Sequence, residues 1–229
     1  MRVRHVIKLI SKFFGIHSYL KNIESKIKLY FGFGHGHSLL LKVLKNNKEL
    51  LIENSLCLEI GSSRDDVNDQ GSSKILGKFF SKNKIYFLTI DADITNTNKL
   101  RKFSKENKFF NAECHKGEEF SKNFFREINF LYLDAFDIYV ENHSKERMDF
   151  YNNVLGKEIS NKNSAEMHFT VIKNLEKNFS KNCIIVFDDT FEKKRNEYTG
   201  KGELAVPYLL KNNFQIISKN NNSIALKKN

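Results

Sequence analysis

The chain has 229 residues, of which 40% are hydrophobic and 28% charged, with a single proline and a net charge of +11. That length and mixture describe one globular domain with a sizeable core, and exclude a disordered or collagen-like chain. The excess lysine is spread along the whole chain beside asparagine, without Arg-rich or glycine-aromatic RNA-binding signatures, so the charge argues for a solvated surface rather than nucleic-acid binding.

The three cysteines, Cys57, Cys114 and Cys183, are far apart and form no Cys-x-x-Cys, which suits a reduced, cytoplasmic protein. No apolar run approaches the ~18 residues of a membrane span. Lys8 and Lys12 interrupt the apolar stretch that a signal peptide would need. The chain divides into a basic amphipathic extension, 1–37, and a domain over 38–229. In the extension Val3, Val6, Ile7 and Ile10, then Leu20, Ile23 and Ile27, recur at helical spacing among lysines and arginines. A helical cap on the domain is the favoured reading, and a peripheral membrane contact through residues 1–33 the functional alternative. His35-x-His37 in "GFGHGHS" is weak evidence for a metal.

From Ser38 a helix leads into an alternation of elements. "LCLEI", "KIYFLTI", "KFFNAE", "NFLYLD" and "CIIVF" read as strands, with helices at 72–80, near 96–105 and within 143–180. The last two strands, "FQIIS" and "SIALKK", flank an Asn-rich turn and form a hairpin. The fold class predicted is therefore α/β: a doubly wound, mostly parallel seven-stranded sheet with an antiparallel terminal hairpin strand.

Ligands of such sheets bind beyond the carboxyl ends of the strands. There the sequence is acidic five times over: Glu59 and the Gly61-Ser62-Ser63 loop, Asp91-Ala92-Asp93, Gly117-Glu118-Glu119, Asp134-Ala135-Phe136-Asp137, and Asp188-Asp189. "GSSRDDVNDQGSS" lacks the G-x-G-x-x-G of a dinucleotide site and would repel phosphates. It suits a cofactor that is cationic and carries no phosphate. Asp91 can accept a pair of ribose hydroxyls, Gly61 can let the backbone approach a ligand, and Glu59 can orient the loop or hold a ligand amine.

"LEIGSS", "TIDAD", "KGEEF", "LYLDAFD" and "IIVFDDTF", in that order over residues 38–228, resemble the class I S-adenosylmethionine-dependent methyltransferases. The resemblance implies that Glu59, Gly61, Ser62 and Ser63 border the methionine portion of S-adenosyl-L-methionine, that Asp91 takes its ribose and that Glu118 lies near its adenine. The usual second glycine is absent, and Gly71-Ser72-Ser73 is its substitute after an insertion. "LDAFD" with "FDDTF" further resembles the macrocin-type and sugar O-methyltransferases, which implies Mg²⁺ held by Asp134, Asp188 and Asp189. Three converging carboxylates would need such a cation.

The function expected is metal-assisted O-methylation of a sugar or other small hydroxyl acceptor, with homo-oligomers allowed. Asp137 or Asp134 would be the base, and His168 is the weaker catalytic candidate. "GKGELAVPYLL" (200–210), carrying Lys201 and Glu203, is expected to be a lid over the acceptor. The competing expectation is a metal-dependent glycosyltransferase using Asp91-Ala92-Asp93.

Overall fold

The computed structural model describes residues 37–48, 51–53, 55–62, 71–105 and 107–229. The expectations for residues 1–36, including the basic helices and His35, and for Ser63 lie outside the described residues.

Helix α1 (His37–Asn46) buries Leu39, Leu40, Val43 and Leu44, a helical stripe, against the sheet. Strands and helices then alternate: β1 (Leu56–Ile60), α2 (Ser72–Lys82), β2 (Tyr86–Asp91), α3 (Ile94–Ser104), β3 (Phe110–Cys114), α4 (Gly117–Lys122) and β4 (Ile128–Leu133). A helical segment follows, α5 (Lys145–Phe150) running into a π-turn (Tyr151–Leu155), then α6 (Asn161–Leu175) and β5 (Phe179–Phe187). A hairpin of β6 (Thr190–Lys194) and β7 (Glu197–Gly200), helix α7 (Ala205–Lys211), β8 (Phe214–Lys219) and β9 (Ile224–Lys228) complete the domain.

Seven strands form one sheet in the order β3-β2-β1-β4-β5-β9-β8, parallel except where β9 pairs with its neighbours. This is the doubly wound sheet with a reversed terminal strand that the alternation predicted. The central strand β1 is buried along its whole length, whereas the edge strand β3 alternates. That contrast explains why β1 reads as a continuous apolar run. Successive residues point to opposite faces. Leu58, Leu131, Leu133, Ile185 and Phe187 pack with α6 on one face, and Cys57, Phe130, Tyr132, Ile184 and Val186 pack with α1 and α2 on the other.

Register places the site. Ile60 pairs with both Ile90 and Leu133, and Leu133 pairs with Phe187. The next residue of each strand, Gly61, Asp91, Asp134 and Asp188, therefore lies on one rim. The chain runs from β1 to β2 on one side and later places β4 on the other, so that rim contains the switch point where such sheets bind ligands.

The 200–210 segment is not a lid. Lys201, Gly202, Ala205, Val206 and Leu209 are buried, and α7 packs into the core. The β6–β7 hairpin was not expected, because "TFEKKRNEYTG" is too charged to read as paired strands. Its turn is made by Asn196 at φ +66°, a conformation asparagine tolerates.

Candidate active site

A cavity of about 440 Å³ opens on this rim, lined from β1, β2 and β4 by Gly61, Asp91 and Asp134 and from the later segments by Tyr151, Asp189 and Lys201. Backbone strain gathers here: Phe136 (φ 59°), Tyr139 (φ 59°) and Asp189 (φ 39°) are non-glycine residues at positive φ on loops after β4 and β5.

Gly61 adopts φ +91°, and a Cβ there would stand 2.2 Å from the Ala135 nitrogen and 2.5 Å from the Asp134 carbonyl carbon. Glycine is thus required for two strand ends to touch, and Gly61 also lines the cavity. Ser62 follows, and its N–H (3.2 Å) and Oγ (2.7 Å) donate to Asp91 Oδ2. Asn96 donates to the same oxygen (2.8 Å), and the Asp93 N–H donates to Oδ1 (2.7 Å). Asp91 is thereby held at the cavity wall by neutral donors. Asp93 is spent as the N-cap of α3, accepting from the Thr95 and Asn96 N–H groups. The Asp91-Ala92-Asp93 pair therefore does not converge as a nucleotide-sugar motif would need, and the glycosyltransferase expectation loses its residues.

Glu59 is fully buried and does not line the cavity. Its oxygens accept from Ser72 Oγ (2.6 Å), Ser73 Oγ (2.6 Å) and Thr89 Oγ1 (2.5 Å). It orients the loop by pinning the start of α2 to β1 and β2, and it cannot hold a ligand amine. Ser72 is equally buried in this cluster, so of the proposed glycine substitute only Gly71, the N-cap of α2, reaches the cavity. Burial, against the three hydroxyls, pushes the Glu59 pKa from 4.5 up to about 7. A carboxylate raised in this way stabilises the fold fully below its unfolded value, and that contribution is lost as pH climbs through the folded one. Glu59→Gln should abolish a loss of about 3 kcal/mol that the wild type suffers between about pH 4.5 and pH 7. Urea midpoints of both proteins across that range test it, and parallel profiles would refute it.

Glu118 lines the cavity from the start of α4 and pairs with Lys157 (2.8 Å). Asp137 lines it too, but Arg147 Nε lies 2.6 Å from its Oδ2 and His143 Nδ1 3.7 Å away. Arg147 in turn stacks over the rings of Phe150 and Tyr151, at 5.1 and 4.7 Å. Asp137 therefore anchors this cationic, aromatic wall and is poorly placed to take a proton. His168 is not in the cavity lining, although its neighbour Met167 is. It is fully buried, its Nδ1 lies 2.7 Å from the Ser164 carbonyl, and burial followed by the nearby Lys201 lowers its pKa to about 3. It is a neutral core imidazole, not a base.

The acidic trio is divided. Asp188 is buried and turns away from the cavity: Oδ1 accepts from Ser223 Oγ (2.8 Å) and the Asp189 N–H (2.9 Å), and Oδ2 from Tyr132 Oη (2.9 Å). Asp134 and Asp189 line the cavity, and between them lies Lys201, its Nζ 2.5 Å from Asp134 Oδ1 and 3.0 Å from Asp189 Oδ2. Among the described residues no group of three His, Cys, Asp or Glu side chains is arranged to hold a metal. The donors do not fit Mg²⁺, because the two carboxylates that face the cavity are already bridged by an ammonium. One carboxylate is buried outside the cavity lining with three protein donors, and the other two share an ammonium.

Lys201 was missed as a site residue. The signal lay in its flanking glycines. A Cβ at Gly200 (φ +79°) would stand 2.0 Å from the Asp189 carbonyl oxygen, and one at Gly202 2.7 Å from Thr190 Cγ2. The closure is held by the Lys201 N–H on the Asp189 carbonyl (3.0 Å) and the Gly202 N–H on Thr190 Oγ1 (2.9 Å). Burial, opposed by Lys201 and assisted by Asp188 and Asp189, pushes Asp134 up to about 7. Burial alone would lower the Lys201 pKa, but the three aspartates outweigh it and hold the ammonium charged.

Structures similar to this one include the inferred methyltransferase yhhF from Escherichia coli, at 11% identity and a TM-score of 0.50, with 84% of this chain and 83% of that one covered. The fold is that of the class I methyltransferases. A further similar structure, SMU.1697c from Streptococcus mutans in complex with S-adenosylhomocysteine, has 11% identity and a TM-score of 0.48 over 81% of this chain and 97% of that one. A SAM-dependent methyltransferase from Aquifex aeolicus has 15% identity and a TM-score of 0.41, covering 80% and 86%. No family model and no curated protein matches the sequence. Among the described residues no helix of this methyltransferase-like domain is long and apolar enough to cross a membrane.

Proposed function

We propose that the chain is an S-adenosyl-L-methionine-dependent methyltransferase acting on a hydroxyl of a small polar acceptor such as a sugar. One observation carries this reading: Asp91 at the end of β2 and Asp134 at the end of β4 line a single cavity across the β1 switch point. The cavity's chemistry fits the cofactor. Asp91 and Glu118 offer acceptors to hydroxyl and amino groups, and Ile60, Ile90 and Met167 supply apolar wall. Bound there, the cofactor supplies an electrophilic methyl sulfonium.

The protein's task is then to hold an acceptor oxygen in line and remove its proton. Asp134 performs the second part. It lines the cavity at the end of β4, and burial raises its pKa above the ordinary carboxylate range, which makes it the more basic acceptor for a proton. The acceptor oxygen would take the methyl group that the cofactor supplies, and its hydroxyl proton would go to Asp134. Phe136, Arg147, Phe150 and Tyr151 form the acceptor wall, apolar faces beside guanidinium donors, which suits a polar ring.

Asp91→Ala tests the cofactor half. It should weaken S-adenosylhomocysteine binding at least tenfold, since each charge-assisted hydrogen bond lost is worth about 1.5–3 kcal/mol. Calorimetry on the folded variant measures this. Unchanged affinity would remove β2 from the cofactor site.

A further inference from the structure

The acidic rim suggested a divalent ion from the sequence, and the structure places the Lys201 ammonium between two of its three aspartates. We propose that Lys201 is a built-in replacement for that ion: its ammonium joins Asp134 to Asp189 and presents its remaining N–H to the acceptor oxygen, so that the protein works without a metal. The catalytic half of this proposal rests on the methyltransferase reading. The structural half does not.

Four observations support it. Lys201 Nζ is within hydrogen-bonding distance of both cavity carboxylates. An ammonium has three donors, so one remains beyond these two. The lysine side chain is only 4% exposed, yet it lines the cavity, so it can meet a bound ligand, and an entering ion would have to displace it. Its backbone is fixed on both sides by glycines whose Cβ positions are filled by Asp189 and Thr190. Finally, the third aspartate of the trio has its oxygens committed to Tyr132 and Ser223 and does not line the cavity. A divalent ion would have to expel a buried cation that both cavity carboxylates already hold. The hydrogen bond from Lys201 would do for the acceptor oxygen what a Lewis acid does: fix its direction and stabilise the negative charge that grows as its proton leaves for Asp134.

Manganese is the probe. Wild type and Lys201→Met are titrated with Mn²⁺ and followed by electron paramagnetic resonance. Each is also titrated with S-adenosylhomocysteine. The wild type should take up no stoichiometric Mn²⁺. Lys201→Met, which leaves Asp134 and Asp189 facing each other without a counter-charge, should bind one ion about tenfold more tightly or better, because affinity follows the uncompensated ligand charge. Stoichiometric wild-type binding that Asp189→Asn removes would overturn the proposal, as would a folded Lys201→Met that binds no better than wild type. If Lys201→Met does not fold, Lys201→Met with Asp134→Asn should, because it removes one anion along with the cation. A double variant that also fails to fold would show that the lysine serves packing and would overturn the proposal. Failure of the wild type to bind S-adenosylhomocysteine counts against the methyltransferase reading alone, since the manganese result is independent of it.

Discussion

Asp134→Asn should lower the turnover of methyl transfer by about 10²–10⁴-fold, the usual worth of a general base, while S-adenosylhomocysteine binding stays close to wild type. Asparagine keeps the shape and can still accept the Lys201 hydrogen bond, so the closure around Asp189 survives. It cannot take a proton. The carboxylate it replaces lines the cavity, sits at the in-register end of β4 beside Gly61, and keeps 23% of its side-chain surface exposed. Paired measurement of turnover and inhibitor binding, once an acceptor has been found by screening sugars and small polyols, separates loss of the base from loss of the site. Near wild-type turnover in this variant would hand the role to another group, and Asp137 would then have to act from within its pair with Arg147.

Gly61→Ala should leave little folded protein. Positive φ costs a non-glycine residue about 1–3 kcal/mol, and forcing extra atoms into a packed site costs about as much again. Here the added methyl meets backbone at 2.2 Å, not a side chain that can rotate away. The backbone on either side is held as well: the Gly61 N–H donates to the Ile90 carbonyl (2.8 Å) and the Asp134 N–H to the Ile60 carbonyl (3.0 Å). Relief would have to separate β1 from β4 at the rim. A loss of about 4 kcal/mol or more is a large part of the ~5–15 kcal/mol that stabilises a domain, and corresponds to a fall in Tm of roughly 10 °C or more at this size. Thermal unfolding by circular dichroism measures it. A variant melting within a degree or two of wild type would mean that the two strand ends are not in contact.

The sheet was legible because buried parallel strands are written in long apolar runs. "LCLEI" and "CIIVF" are buried on both faces, and each lies inside a strand of the structure. The reversed hairpin announced itself through asparagines between two apolar stretches. The rim was legible for a related reason: a chain that drives apolar strands to one edge and ends them in carboxylates must use that edge. Asp91, Glu118 and Asp134 do line the cavity.

What each carboxylate does there was not legible, because a residue's role depends on which donors the fold brings to it. Glu59 and Asp91 end neighbouring strands, two residues apart in register and so on the same face, yet Glu59 lies back from the rim in a shell of hydroxyls while Asp91 meets the cavity. Asp188 and Asp189 are adjacent in the chain, and the positive φ of Asp189 sends them to different partners. Lys201 lies 67 residues from Asp134 and became its counter-ion only because a charged hairpin, closed by Gly200, folds back onto the rim. The amino-acid sequence by itself determined the α/β class, the strand order's likeness to methyltransferases and the acidic rim, since these follow from hydrophobic periodicity and from residues at strand ends. Only the tertiary structure decided which anion faces the cavity and what neutralises it, because charge compensation acts through space over a few ångströms and leaves no period in the chain.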